Sequence, residues 1–380
     1  MNDIAKGILT GGWALVAGWI LPTAVNALLF GFFVLPSLYA IPMAHHLGQA
    51  SVQDKTLAVL AVAVVGGLVL NALQTPLYRV LEGYLLWPGR IFRARRDHYV
   101  KSKRIRQKRL AAVYYRRLEN PTPEDKEQLA KLEADSEVSS FIKRDKDLTA
   151  VQDALLRESA RFPADKNQVA PTRLGNAIRR FETYGLDRYQ LDSQVLWYEL
   201  TAAAPKQLSR EIDTARAGVD FFVCLLYGQL LVAVVALASL GVHHSHYLVL
   251  LLTAAVLVGL TLIWYRLAWI NTDDWALAVR ALVNLGRKPL AESLGLRLPQ
   301  KLECERKMWH LYCQMVLEPY DEEYVEVLDD FRIAGTTSRR PQASGLELSS
   351  ADSEEDRDNG EADPDNEDNQ DNGDGESSGA

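Results

Sequence analysis

Polar and apolar positions are not mixed evenly along this chain. No Asp, Glu, Lys or Arg occurs over residues 7–53, 56–78 or 221–265. A bilayer core of roughly 30 Å is crossed by about 20 apolar residues in a helix. These runs therefore predict four spanning helices, at about 13–35 (closed by Pro36), 56–75, 219–240 and 247–267. The run over 221–265 is too long for one crossing, and GVHHSHY (241–247) is its only polar break, so the last two helices form a tight hairpin. Trp13, Trp19, Trp87, Trp264, Tyr265 and Trp269 fall near the proposed ends, where amphipathic rings favour the membrane interface. The first apolar stretch exceeds the roughly 7–15 residues of a cleaved signal core and has Lys6 as its only preceding base, which predicts an uncleaved anchor.

Outside these runs the periodicity is helical. The segment LYRVLEGYLLWP (77–88) reads as an extension of the second span or as a helix lying in the interface, with Arg79 and Glu82 spaced to pair. A basic helix follows to Leu118, with a thin apolar stripe of Leu110, Val113, Tyr114 and Leu118. Thr122, Pro123 and Asp125 predict a capped helix start, and Leu129 and Leu132 are that helix's only apolar anchors. Thr172 predicts the start of a helix ending near Tyr184, with Gly185 in the left-handed position after it. Asp192 caps another carrying Val195, Leu196, Trp197 and Leu200. Towards the C-terminus, short amphipathic helices are expected: one from Asp273 or Asp274 to Gly286, one over 290–294, and a longer one over 300–317.

Charge sets the expected sidedness. Twelve bases lie between Arg90 and Arg117, with Asp97 as the only acid among them. Such an excess close to a span marks the cytoplasmic side, and Arg266 and Arg280 flank the fourth span on that same side. The expected fold class is thus an all-α integral membrane protein built on two transmembrane helical hairpins, 13–75 and 218–268. A short cytoplasmic N-terminus (1–12), a helical cytoplasmic insert (76–217), a helical cytoplasmic C-terminal region (269–334) and a disordered acidic tail (335–380) complete it. Residues 346–380 hold fourteen acids against Arg357. Of the net charge of −7, that tail therefore contributes −13, which leaves the rest of the chain at +6. Such a composition cannot bury a core.

Several constellations carry candidate chemistry. Arg90, Arg93, Arg95, Arg96, Lys101, Lys103, Arg104, Arg106, Lys108 and Arg109 are expected to meet anionic lipid headgroups, and tethering beside the bilayer favours lipid over nucleic acid as their partner. Arg173, Asn176, Arg179 and Arg180 offer a possible anion contact. The glycine spacing there matches neither the phosphate loop nor the dinucleotide fingerprint, so a structural joint is the competing reading. His243, His244 and His246, with His45 and His46, put five of the seven histidines into the two expected external loops. They form either a metal-binding or pH-responsive cluster, or simply solvated turns. Cys304, His310 and Cys313 give only three ligands in no common zinc spacing. Three cysteines without a framework suggest reduced thiols. Small residues four apart (Ala14/Gly18, Ala27/Gly31, Ala63/Gly67, Ala255/Gly259) fit close helix packing within or between subunits.

The run Pro171-Thr172-Arg173-Leu174-Gly175-Asn176, followed by Glu182, Arg188-Tyr189, Leu191-Asp192 and Leu196-Trp197, resembles a motif of uncharacterised bacterial four-span inner-membrane proteins. Many of those proteins have Trp-Pro where this chain has Trp197-Tyr198. The resemblance implies the cytoplasmic (inner) membrane of a bacterium and brings no activity with it. No nucleophile–base pair, paired carboxylate or HExxH-like helix is legible. The expectation is a non-enzymatic, oligomeric membrane protein, without a cofactor unless the external histidines hold a metal ion, that presents its helical module to a cytoplasmic partner as scaffold, sensor or effector. The alternative is a channel or transporter subunit with its pore between subunits.

Overall fold

A computed structural model describes residues 12–39, 46, 48–144, 148–241, 247–319 and 322–333. These residues are helical, with no strand among them and one isolated bridge between Leu296 and Arg332. Among the described residues four helices are long and apolar enough to cross a membrane. The first, α1 (Gly12–Leu38), holds π-helical turns at Val16–Ile20 and Phe30–Val34 and tightens to a 3₁₀ turn at Leu35–Leu38. Pro36 opens that last turn instead of ending the helix at once. The second, α2 (Val52–Ala72), is capped by the Ser51 hydroxyl on the Asp54 amide. Leu73 leaves helical geometry (φ −87°, ψ 4°) before α3 (Gln74–Glu82), so the amphipathic extension is a separate helix.

The insert continues with α4 (Gly89–Arg116), α5 (Pro123–Glu133), α6 (Ser136–Arg144) and α7 (Leu148–Ser159). Thr122 and Asp125 form the expected reciprocal capping box. Helices α5 and α6 fold back on α4 around Ala112, Val138, Leu129, Leu132 and Phe141. Short helices α8 (Arg173–Glu182), α9 (Tyr184–Tyr189) and α10 (Trp197–Ala203) follow. Gly185 departs from expectation: it lies inside α9, where a Cβ would come within 2.5 Å of the Leu191 carbonyl. The left-handed residue of this stretch is Gln190, at φ 59°.

Helices α11 (Lys206–Ser239) and α12 (Tyr247–Ser293) form the longest pair. At 1.5 Å per residue they are about 50 and 70 Å long, against roughly 30 Å of bilayer core. The short helices expected from Asp273 to Gly286 and over 290–294 are not separate, because α12 runs unbroken through both. A buried stripe at helical spacing (Ala268, Thr272, Ala276, Val279, Val283, Gly286, Leu290) continues across the charged positions. Gly286 admits Leu200 against the helix, and Pro289 is tolerated one turn from its end. The chain closes with α13 (Leu302–Leu317) and α14 (Glu322–Asp329).

Beyond the smaller clusters of the insert, three larger apolar clusters join the helices among the described residues. Val34, Val232, Ala236, Leu250 and Leu257 join α1, α11 and α12 at one end. Trp19, Leu174, Phe181, Val223 and Val279 join the apolar helices to α8. Leu191, Leu200, Leu282, Met308, Trp309 and Leu328 fill the core beneath α12. In that core Glu305 is buried against Arg287 and accepts a 3.2 Å hydrogen bond from the Trp309 indole, so the carboxylate is paired, as a buried charge requires.

The small-residue pairs divide. Gly18 faces Ala217 and Asp220 of α11, and Gly67 faces Ile20 of α1. Nothing lies within 4 Å of a Cβ placed on Gly31 or Gly259. Two pairs therefore serve packing within the chain, which small residues make possible by letting backbones approach.

Candidate functional site

Helices α3, α8, α11 and α12 meet at one joint. Its local logic begins at Thr172. The hydroxyl accepts from the Gly175 amide at 3.0 Å, capping α8, and donates to the Glu82 carbonyl at 3.2 Å. The N-terminus of α8 is thereby seated on the C-terminus of α3, with the cap residue of one helix satisfying a terminal carbonyl of the other. Glycine is required on both sides of the contact. Gly83 ends α3 in the left-handed region at φ 94°. A Cβ on Gly175 would sit 2.8 Å from the Glu82 carbonyl.

Asn176 locks the turn. It is fully buried, accepts from the Ala170 amide at 2.8 Å, and donates to the Ala170 and Thr172 carbonyls at 2.8 and 2.6 Å. Its carboxamide is spent on the backbone and has no capacity left for an anion. The arginines nearby are also engaged. Arg173 stacks 5.2 Å from the Trp269 ring, Arg179 donates to the Tyr84 hydroxyl at 3.2 Å, and Arg180 pairs with Asp187 at 2.9 Å. The four residues of the possible anion contact thus diverge onto separate partners.

Two carboxylates flank this joint. Burial, reinforced by the nearby Glu182 charge and opposed by Arg179, pushes Glu82 up to about 7. Burial also raises Glu182, which Arg179 offsets from 3.8 Å.

A third carboxylate, Asp220 on α11, is only 5% exposed. It accepts a 2.7 Å hydrogen bond from the Tyr78 hydroxyl of α3 and lies 3.9 Å from Arg216, which in turn donates to Gln74 at 2.9 Å. Tyr227 adds a 2.8 Å bond to the Leu77 carbonyl. Together these contacts latch α3 onto α11. Sequence reading passed over Asp220 because it abuts the uncharged run. The available signal was Arg216 one helical turn before it, the spacing of an ion pair. Cys224, one turn further along, lies 3.3 Å from the Thr23 hydroxyl and is buried, not presented to solvent.

The basic helix α4 is divided by its partners. Lys103 is buried, with its ammonium donating to the Pro163 and Ala164 carbonyls at 2.6 Å each. Burial lowers its proton affinity and that of Arg106. Arg106 stacks on Phe162 and pairs with Glu158, Arg109 lies over Phe141 and donates to the Glu137 carbonyl, Lys108 pairs with Asp135, and Lys101 pairs with Glu137. Arg95 reaches Tyr99, Arg96 reaches the Asn167 carbonyl, and Arg104 is exposed near Asp135. Arg90 and Arg93, in the first turns, are exposed with no acidic partner among the described residues. Much of the block therefore binds the insert to itself, and Lys103 has no face to offer a headgroup.

His45, His243, His244 and His246 lie outside the described residues, and His46 is exposed. The acidic tail likewise lies outside them. Among the described residues no group of three His, Cys, Asp or Glu side chains is placed to hold a metal ion. Cys304 and His310 are exposed while Cys313 is buried. No protein-family model, curated protein or solved structure matches this chain.

Proposed function

We propose that the protein is a non-enzymatic, oligomeric protein of the bacterial cytoplasmic membrane, in which four spans anchor a helical module at the cytoplasmic face. Both termini and the 76–217 insert lie in the cytoplasm by the charge rule, and the module acts as scaffold, sensor or effector towards a cytoplasmic protein partner. The observation that carries this reading is the continuity of α11 and α12. Each is an apolar helix that runs on, without a linker, into the core of the helical module. The Tyr78–Asp220 latch fastens α3, the continuation of the first hairpin, to the same unit. A tilt or rotation of a span would therefore move the module as a body, which suits a protein that relays or holds position.

Reconstitution into liposomes tests this against the pore alternative. The reading expects no ion flux from purified protein and cross-linking to a discrete oligomer. Protein-dependent flux would overturn it in favour of a channel.

A further inference from the structure

The corner between α3 and α4 presents a feature that its packing does not explain. Leu86 sits at φ 63°, a left-handed conformation that a branched side chain adopts at a steric cost and that Gly or Asn would adopt cheaply. Its side chain is 83% exposed. Tyr84, Leu85 and Ile91 beside it are exposed as well. The corner is nevertheless held in place. The Trp87 indole donates to the Val80 carbonyl at 3.0 Å, the Tyr84 and Leu85 amides donate to the Arg79 carbonyl at 2.9 and 3.1 Å, and Arg179 donates to the Tyr84 hydroxyl at 3.2 Å. A fixed, strained turn thus pushes two leucines outward.

The surroundings say what those leucines face. Arg90 and Arg93 stand in the first turns of α4 just behind the tip, exposed and without an acidic partner among the described residues. Helix α3 has nine residues, so the corner lies within about 14 Å of helix from the end of α2. Apolar side chains at a tip, with two exposed guanidinium groups immediately behind that have no acidic partner among the described residues (Arg93 donates only to the Gly89 carbonyl, at 3.2 Å), match the sequence of acyl boundary and anionic headgroup that a cytoplasmic leaflet presents.

We propose that the 84–93 corner is a membrane-inserting wedge, in which Leu85 and Leu86 enter the cytoplasmic leaflet and Arg90 and Arg93 bind anionic lipid headgroups. This rests on the membrane-anchored reading above and narrows its lipid contact from the whole basic block to this corner. The wedge would set the angle of α3, and through the latch and the joint, the angle of the module against the bilayer.

The test places a nitroxide spin label on the full-length protein in lipid vesicles. Cys304 is first replaced by serine so that no native thiol is exposed. Leu86→Cys, Val62→Cys (on the open face of α2) and Lys126→Cys (exposed on α5) are then labelled separately. Collision with oxygen is compared with collision with a polar nickel chelate. Position 86 is expected to behave like 62, oxygen-accessible and chelate-protected, while 126 shows the reverse. Adding Arg90→Gln with Arg93→Gln is expected to shift position 86 towards water in vesicles containing phosphatidylglycerol and to leave it unchanged in pure phosphatidylcholine.

Chelate access at 86 equal to that at 126, with 62 protected, overturns the wedge alone. Protection of 86 from both reagents means a protein surface covers it, which also overturns the proposal. An equal effect of the arginine changes in both lipids removes the headgroup assignment. Chelate access at 62 overturns the membrane reading itself, and the wedge with it.

Discussion

Replacing Tyr78 by phenylalanine removes one oxygen and leaves the ring in its place between α3 and α11. That oxygen donates the 2.7 Å hydrogen bond to Asp220, a carboxylate only 5% exposed. Hydrogen bonds to charged groups contribute about 1.5–3 kcal/mol, and a buried acceptor left short of donors loses its desolvation compensation as well. Arg216, at 3.9 Å, is too far to substitute fully. Y78F is therefore expected to cost about 2–3 kcal/mol. Asp220→Leu alone leaves the Tyr78 hydroxyl and Arg216 without their carboxylate and is also destabilising. The double variant removes both members of this bond, so no hydroxyl is left stranded, while Arg216 still loses its carboxylate. A double-mutant cycle by denaturant unfolding in detergent micelles should thus give a coupling of about 1.5–3 kcal/mol between positions 78 and 220. Hydrogen exchange in Y78F should rise over 74–82 ahead of α12. A coupling below about 0.5 kcal/mol, within ordinary additivity, would refute the latch.

Other consequences follow from the joint and the insert. Asn176→Ala leaves the Ala170 amide and carbonyl unpaired in the interior and is expected to cost about 2–5 kcal/mol, visible as rapid proteolysis over 160–172; protection equal to wild type would contradict the lock. Lys103→Met strands the Pro163 and Ala164 carbonyls and should loosen the α4–α7 corner, read as faster amide exchange over 160–169, with unchanged exchange as the opposing result. Glu82 takes up its proton more readily folded than unfolded, so its contribution to stability is fully present below about pH 4.5 and is lost as pH rises through about 7. The thermal midpoint should therefore fall between pH 5 and 8, Glu82→Gln should flatten that fall, and an identical slope in both proteins would count against the burial of Glu82. Thiol reagents should modify Cys304 rapidly and Cys313 slowly, because burial pushes Cys313 up to about 11; comparable rates at both would contradict the core around Trp309.

What the sequence made legible follows from the range of the interactions involved. The apolar helices could be read directly because an uncharged run of spanning length has few alternative structures, and the caps at Thr122 and Thr172 because a capping residue acts within one turn. Helix ends set by tertiary contact were less accessible. The change in composition at Arg266 reads as a terminus, yet α12 continues for another 27 residues because a stripe from Ala268 to Leu290 is buried by α8, α10 and the C-terminal helices. Asp220 and Tyr78 are 142 residues apart, and no local pattern connects them. The basic block shows the same limit from the other side. Its total charge is evident, but Asp135, Glu137 and Glu158, which claim several of its members, come from the α5–α6 turn, α6 and α7, whose return onto α4 depends on a handful of apolar side chains. The joint at 170–176 was legible as a turn with competing roles, and the three backbone bonds of Asn176 explain why an asparagine stands there.

The central claim, a helical module held at the cytoplasmic face by four spans, is tested most directly by two-sided thiol labelling in intact bacterial cells. Native Cys304 on α13 and a Gln49→Cys variant, exposed just before α2, are treated with a membrane-impermeant maleimide before and after permeabilisation. The account predicts that position 49 labels in intact cells and that Cys304 labels only once the membrane is opened. Labelling of Cys304 in intact cells, or equal protection of both positions until permeabilisation, would contradict it.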